Sequence, residues 1–142
     1  MTTEVTMQRT ARCACGQLTL TVEGEPGMQG LCSCLECQRA TGSSVFHHGY
    51  WPEAAVRARS GDTRVWRRLA DSGRWIDNHF CPDCGSGVFS VAEFAPGMVC
   101  IAIGCFADPG FPPPQYSVWE RYRHAWLQPP EGCQRFDTQP PD

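Results

Sequence analysis

The sequence predicts a mainly β domain, an antiparallel zinc-stapled fold with short helical turns. Three observations carry that prediction. Bulky and β-branched residues come in short runs, several of them alternating, each closed by glycine, proline, aspartate or serine. No stretch keeps a helical period beyond a turn or two. Seven cysteines fall into three tight groups, Cys13-x-Cys15, Cys32-x-Cys34-x-x-Cys37 and Cys81-x-x-Cys84. These spacings suit tetrahedral thiolate coordination, because each knuckle delivers sulfurs to one ion.

Taken in order, residues 17–22 alternate, with Leu18, Leu20 and Val22 on one face of a half-buried strand. Glu25-Pro26-Gly27 turns the chain, and residues 28–32 return as a second strand that delivers Cys32 at its end. Residues 35–40 can form a turn or so of helix, which Gly42 ends. Residues 44–50 read as a strand, and Pro52 opens a helical turn through Ala55. A meander follows, with strands over 56–59, 63–69, 74–80, 87–91 and 98–104 and turns at Ser60-Gly61-Asp62 and Asp71-Ser72-Gly73. Residues 109–114 form an extended loop, and 139–142 a frayed tail.

With 142 residues, 42% hydrophobic, the chain suffices for one domain with a modest core. A formal net charge of -3 gives no general reason to bind nucleic acid or acidic membranes. The first twelve residues lack the apolar run of a signal peptide, and no stretch approaches a transmembrane span. Ten cysteines without a leader point to metal ligands in a reducing cytoplasm rather than to disulfides. All 12 basic residues are arginine. Arg57, Arg59, Arg64, Arg67, Arg68 and Arg74 either clamp an anionic peptide substrate or coat an outer sheet face.

Seven ligands divide into a closed site of four and an open site of three. Cys13, Cys15, Cys81 and Cys84 make the best quartet, since Gly16 and Gly85 let each knuckle turn tightly. Such a closed site is a structural staple. A rival pairing, Cys34 and Cys37 with Cys81 and Cys84, strands Cys13, Cys15 and Cys32. Zinc on Cys32, Cys34 and Cys37 would keep a position free, unless His47, His48 or His79 closes it. Three thiolates leave zinc a weak Lewis acid, so carbon–sulfur chemistry on a bound thiol suits the site better than hydrolysis. Asp77 and His79 share one strand face, with His79 the candidate acid/base beside the open zinc or a supporting neighbour. Cys100 and Cys105 read as small buried hydrophobes, and Cys133 as a bystander.

The order Cys13-x-Cys15-Gly16, Cys32-x-Cys34-x-x-Cys37, Phe80-Cys81-x-x-Cys84-Gly85 and a late Trp126 resembles the glutathione-dependent formaldehyde-activating enzyme (centromere protein V/Gfa) family. The likeness divides the chain into an extension over 1–11, one zinc-binding domain over 12–136 and a tail over 137–142. It implies an Mss4-like β-fold with two zinc ions, Cys13, Cys15, Cys81 and Cys84 structural and Cys32, Cys34 and Cys37 catalytic. It also implies a carbon–sulfur lyase that condenses formaldehyde reversibly with glutathione. Leu31 and Ser117 stand where members often carry histidines. The competing reading is a zinc-binding interaction module without chemistry. A redox enzyme of the methionine sulfoxide reductase type would need a reactive thiol outside the metal sites.

Overall fold

The computed structural model describes residues 7–140; residues 1–6 and 141–142, part of the expected extension and tail, lie outside the described residues. Among the described residues, eleven strands form two sheets. The smaller has β2 (Thr19–Glu23) between β1 (Gln8–Arg12) and β5 (Val56–Ser60), all antiparallel. The larger runs β11 (Gln134–Arg135), β10 (Tyr116–Val118), β3 (Met28–Cys32), β4 (Phe46–Pro52), β9 (Met98–Ala102), β8 (Gly87–Ala92), β7 (Trp75–Phe80) and β6 (Arg64–Leu69). One helix, α1 (Leu35–Thr41), follows β3, and Gly42 ends it in the left-handed region.

The core lies where the small sheet covers one face of the large one. Alternation turns Leu20 and Val22 of β2 inward, where they join Ala11, Trp51, Val99 and Ile101. Trp51 is fully buried, and its indole N–H donates to the Gly24 carbonyl at 3.0 Å, so its one polar atom is satisfied. Truncating it to alanine would cost about 3–5 kcal/mol.

Several elements depart from the sequence expectations. β1 starts at Gln8, inside the stretch expected as an extension, because its backbone completes the edge of β2. The strand expected over 98–104 ends at Ala102 and becomes a 3₁₀ turn, Ile103–Phe106, with Ile103 buried in the core. Pro52 closes β4 and precedes a 3₁₀ turn, Glu53–Ala55, rather than opening it. β10 and β11 were not expected, and β10 runs parallel to both β3 and β11.

The turn between β5 and β6 is clipped to the first cysteine knuckle. Gln17 donates through Nε2 to the Asp62 carbonyl at 2.7 Å and accepts from the Asp62 amide through Oε1 at 2.9 Å. Gly61 sits there at φ +96°, and a Cβ would lie 1.9 Å from the Gln17 carbonyl oxygen. Gly61→Ala should therefore lower stability by about 2–4 kcal/mol, through strain and collision with backbone. Chemical denaturation checks this through a lower midpoint; an unchanged midpoint would show that the clip yields.

Candidate metal centres and the face beside them

The first cluster joins two knuckles 66 residues apart in sequence. Cys13 leaves β1, and Gly16 at φ +84° reverses the chain so that the Leu18 amide donates to Cys13 Sγ at 3.3 Å. Cys81 follows β7, and Gly85 at φ +79° closes its turn, its N–H donating a hydrogen bond to the Cys81 carbonyl at 2.8 Å. Cys81 Sγ accepts from Gln17 Nε2 at 3.1 Å and from the Asp83 amide at 3.4 Å. Hydrogen bonds from the Ser86 hydroxyl, the Ser86 backbone and the Cys15 backbone hold Cys84 down to about 5.

The four sulfurs all lie within 4.8 Å of one another. Cys13 to Cys15 and Cys15 to Cys81 are each 3.7 Å. Tetrahedral zinc with Zn–S bonds of about 2.3 Å places its sulfurs about 3.8 Å apart, so the quartet fits the ion.

Cys32, Cys34 and Cys37 form the second cluster, again within 4.8 Å. β3 ends in Cys32, and Cys34 caps α1, its Sγ accepting the Cys37 amide at 3.2 Å. Gln38 ties the knuckle down, donating to the carbonyls of Ser33 at 2.8 Å and Tyr122 at 3.1 Å. The crowding of the thiols is unequal in effect. Hydrogen bonds from Cys32 and Cys37, with the Arg68 charge added, hold Cys34 down to about 2. The other two thiols of the trio, Cys32 and then Cys34, push Cys37 strongly up. Three thiolates at one point need a cation between them, and this donor set suits zinc. Among the described residues, no histidine nitrogen or carboxylate joins this trio, so His47, His48 and His79 do not close it.

Register decides which side chains the trio meets. Gln29, Gly49, Ile101, Phe89 and His79 are partners across five strands and face the core. Cys32 lies three residues beyond Gln29 and points to the opposite face. His79 is thus on the wrong side for the role expected of it. Its ring stacks on Phe89 with centroids 4.4 Å apart, and it lines a cavity between the sheets with Arg59 and Leu20. Asp77 also leaves the site, gripped by Arg67 at 2.7 and 3.0 Å.

The face of Cys32 carries Tyr50, Cys100, Ser90 and Asn78 in one row. Burial pushes the Cys100 thiol up to about 12, with Ser90 and then Tyr50 beside it opposing that rise. Beside the row, His48 Nε2 meets Tyr116 Oη at 2.7 Å. His48 is 5% exposed, and burial pulls it down to about 4, so it is neutral near pH 7. The Tyr116 ring lies over Gly30, where a Cβ would fall 2.1 Å from a ring carbon. No sequence signal marks Tyr116, because parallel pairing of β10 with β3 brings it in. Leu31 and Ser117, the departures from the family pattern, are register partners on the face turned away from the three thiols.

Fold and clusters together define a mainly β protein with one group of four cysteines and one of three, each able to hold a metal ion. A family model described as glutathione-dependent formaldehyde-activating enzyme matches residues 8–122. The chain belongs to that family. No curated protein matches it. Among the described residues, no helix is long and apolar enough to cross a membrane.

Two outcomes follow for the metal centres. Cys84→Ser should cost on the order of 4–5 kcal/mol or more, as loss of a metal staple does, whereas Cys34→Ser should cost no more than about 2 kcal/mol. Thermal unfolding of zinc-loaded protein measures both, and equal losses would make the trio structural. During a chelator titration followed by elemental analysis, zinc should leave in two steps, the three-thiol site first. A single step would refute two unequal sites.

Proposed function

We propose that this chain is a zinc-dependent carbon–sulfur lyase that joins and separates a thiol, glutathione foremost, and a small aldehyde such as formaldehyde. The supporting observation is the contrast between the clusters: one has four thiols, and the other has three beside the hydrogen-bonded His48–Tyr116 pair. Zinc on Cys32, Cys34 and Cys37 would supply a fourth coordination position that stabilises a substrate thiol as its thiolate near neutral pH.

The remaining chemistry falls to the chain. As the substrate sulfur bonds to the carbonyl carbon, the C=O π pair moves onto oxygen, which must take a proton. In this reading Tyr116 Oη donates it, and the neutral His48 ring, as its Nε2–H tautomer, steadies the phenolic oxygen across 2.7 Å. The proton that the thiol gave up on ionising restores the tyrosine, so the sum is thiol plus aldehyde giving the hydroxyalkyl thioether. Cleavage runs the same path backwards. Cys13, Cys15, Cys81 and Cys84 hold the scaffold and meet no substrate. All ten cysteines are free, as suits a reducing cytoplasm.

Exchange NMR of formaldehyde with glutathione tests the reading. Zinc-loaded protein should speed formation of the S-hydroxymethyl adduct, and Tyr116→Phe should cut that acceleration by about 10²-fold without changing zinc content. No acceleration by the zinc-loaded chain would overturn the enzyme reading in favour of a non-catalytic zinc module.

A further inference from the structure

The strand arginines meet different fates. Arg57 pairs with Glu23, and Arg67 is bidentate to Asp77. Arg59 turns between the sheets. It stands opposite the buried Leu20, and its guanidinium lies over the Phe89 ring, 4.9 Å from the centroid. A β-bulge sets the surroundings of this arginine. The register of β2 with β5 slips after Thr21, which pairs with Ala58, so that Val22 meets Val56 and Arg57 is passed over. Val56 and Arg59, three residues apart, therefore face the core together, as a regular strand does not allow.

Both residues line an open cavity of about 300 Å³ between the sheets. Arg59 and His79, together on its wall, share the Thr63 hydroxyl: Oγ1 accepts from Arg59 Nη2 at 3.4 Å and lies 3.5 Å from His79 Nδ1. Glu53, from the 3₁₀ turn ahead of β5, lines the same cavity. Among the described residues, neither Arg59 nor Glu53 joins an ion pair, with the other or with a third group. Val56 stands between them in the chain, and Val91 and Val99 add apolar wall from the large sheet. Opposite charges with apolar surface between them complement a ligand that carries both charges on a hydrocarbon chain.

We propose that this cavity binds a small zwitterion, its carboxylate held by the Arg59 fork and its ammonium by Glu53, with a chain of several carbons lying along Val56. The planar fork suits a carboxylate through parallel N–H donors, and the Glu53 carboxylate accepts from the ammonium. His79, stacked on Phe89 with centroids 4.4 Å apart, supplies the floor. The cavity lies on the face of the large sheet turned away from Cys32, so its occupant is distinct from the thiol of the proposed reaction.

Heteronuclear NMR of zinc-loaded full-length protein tests the site with three probes: ε-aminocaproate, hexanoate, which lacks the ammonium, and hexylamine, which lacks the carboxylate. ε-Aminocaproate should bind at least about tenfold more tightly than either of the others, as one charge-assisted hydrogen-bonded contact provides. It should shift the resonances of Val56, Arg59, His79 and Phe89. Arg59→Gln should reduce its affinity to that of hexylamine, and Glu53→Gln to that of hexanoate, with the amide spectrum and zinc content reporting the fold. Binding of ε-aminocaproate no tighter than that of the singly charged probes would overturn the zwitterion site. So would shifts that leave the cavity residues unmoved, or a preference that survives in either variant.

Discussion

Four sulfurs gathered at one point are the constraint on which the rest of the molecule depends. Thiolates at 3.7 Å repel one another, and only a cation between them makes the arrangement favourable. The knuckles that carry them end β1 and β7, one in each sheet, so neutralising that charge also fixes how the sheets meet. Gln17 extends the clamp, touching Cys81 Sγ while holding the turn before β6. A core whose largest enclosed side chain is a single tryptophan gains from such a cross-link what a larger hydrophobic interior would otherwise supply.

Once the sheets are fixed, the two-residue period of a strand sorts the chemistry. One face of the large sheet is closed by the small sheet and filled with Trp51, Val99 and Ile101. The other is left for polar groups, and the three-thiol knuckle leans over it from the end of β3. Tyr116 and His48 reach that face from strands on either side of β3, with Cys100 opposite Tyr50 one strand further on.

The sequence made the metal chemistry legible because short cysteine spacings impose geometry locally, whatever the rest of the chain does. The meander was legible for a similar reason: turns and alternation are written within a few residues. What escaped is non-local. His79 and Asp77 were read correctly as sharing a face, but periodicity does not say which face is buried, and these two fell on the core side. His48 sits beside His47 in the sequence and points the other way. Tyr116 gave no sign of its place beside His48, since a three-residue strand pairing in parallel across more than eighty residues of chain leaves no local pattern. β1 hid for lack of apolar residues, its place resting on backbone hydrogen bonds to β2.

Gly30 carries a consequence beyond its own position. With no side chain at that point of β3, the aromatic ring of Tyr116 settles directly onto bare backbone, and its hydroxyl comes level with the His48 nitrogen. The strand serves as a depth stop for the tyrosine: the height of its hydroxyl is set by the thickness of a peptide chain. An atom absent from the middle of one strand thus sets how far a side chain of the next strand reaches, through bare backbone rather than through another side chain.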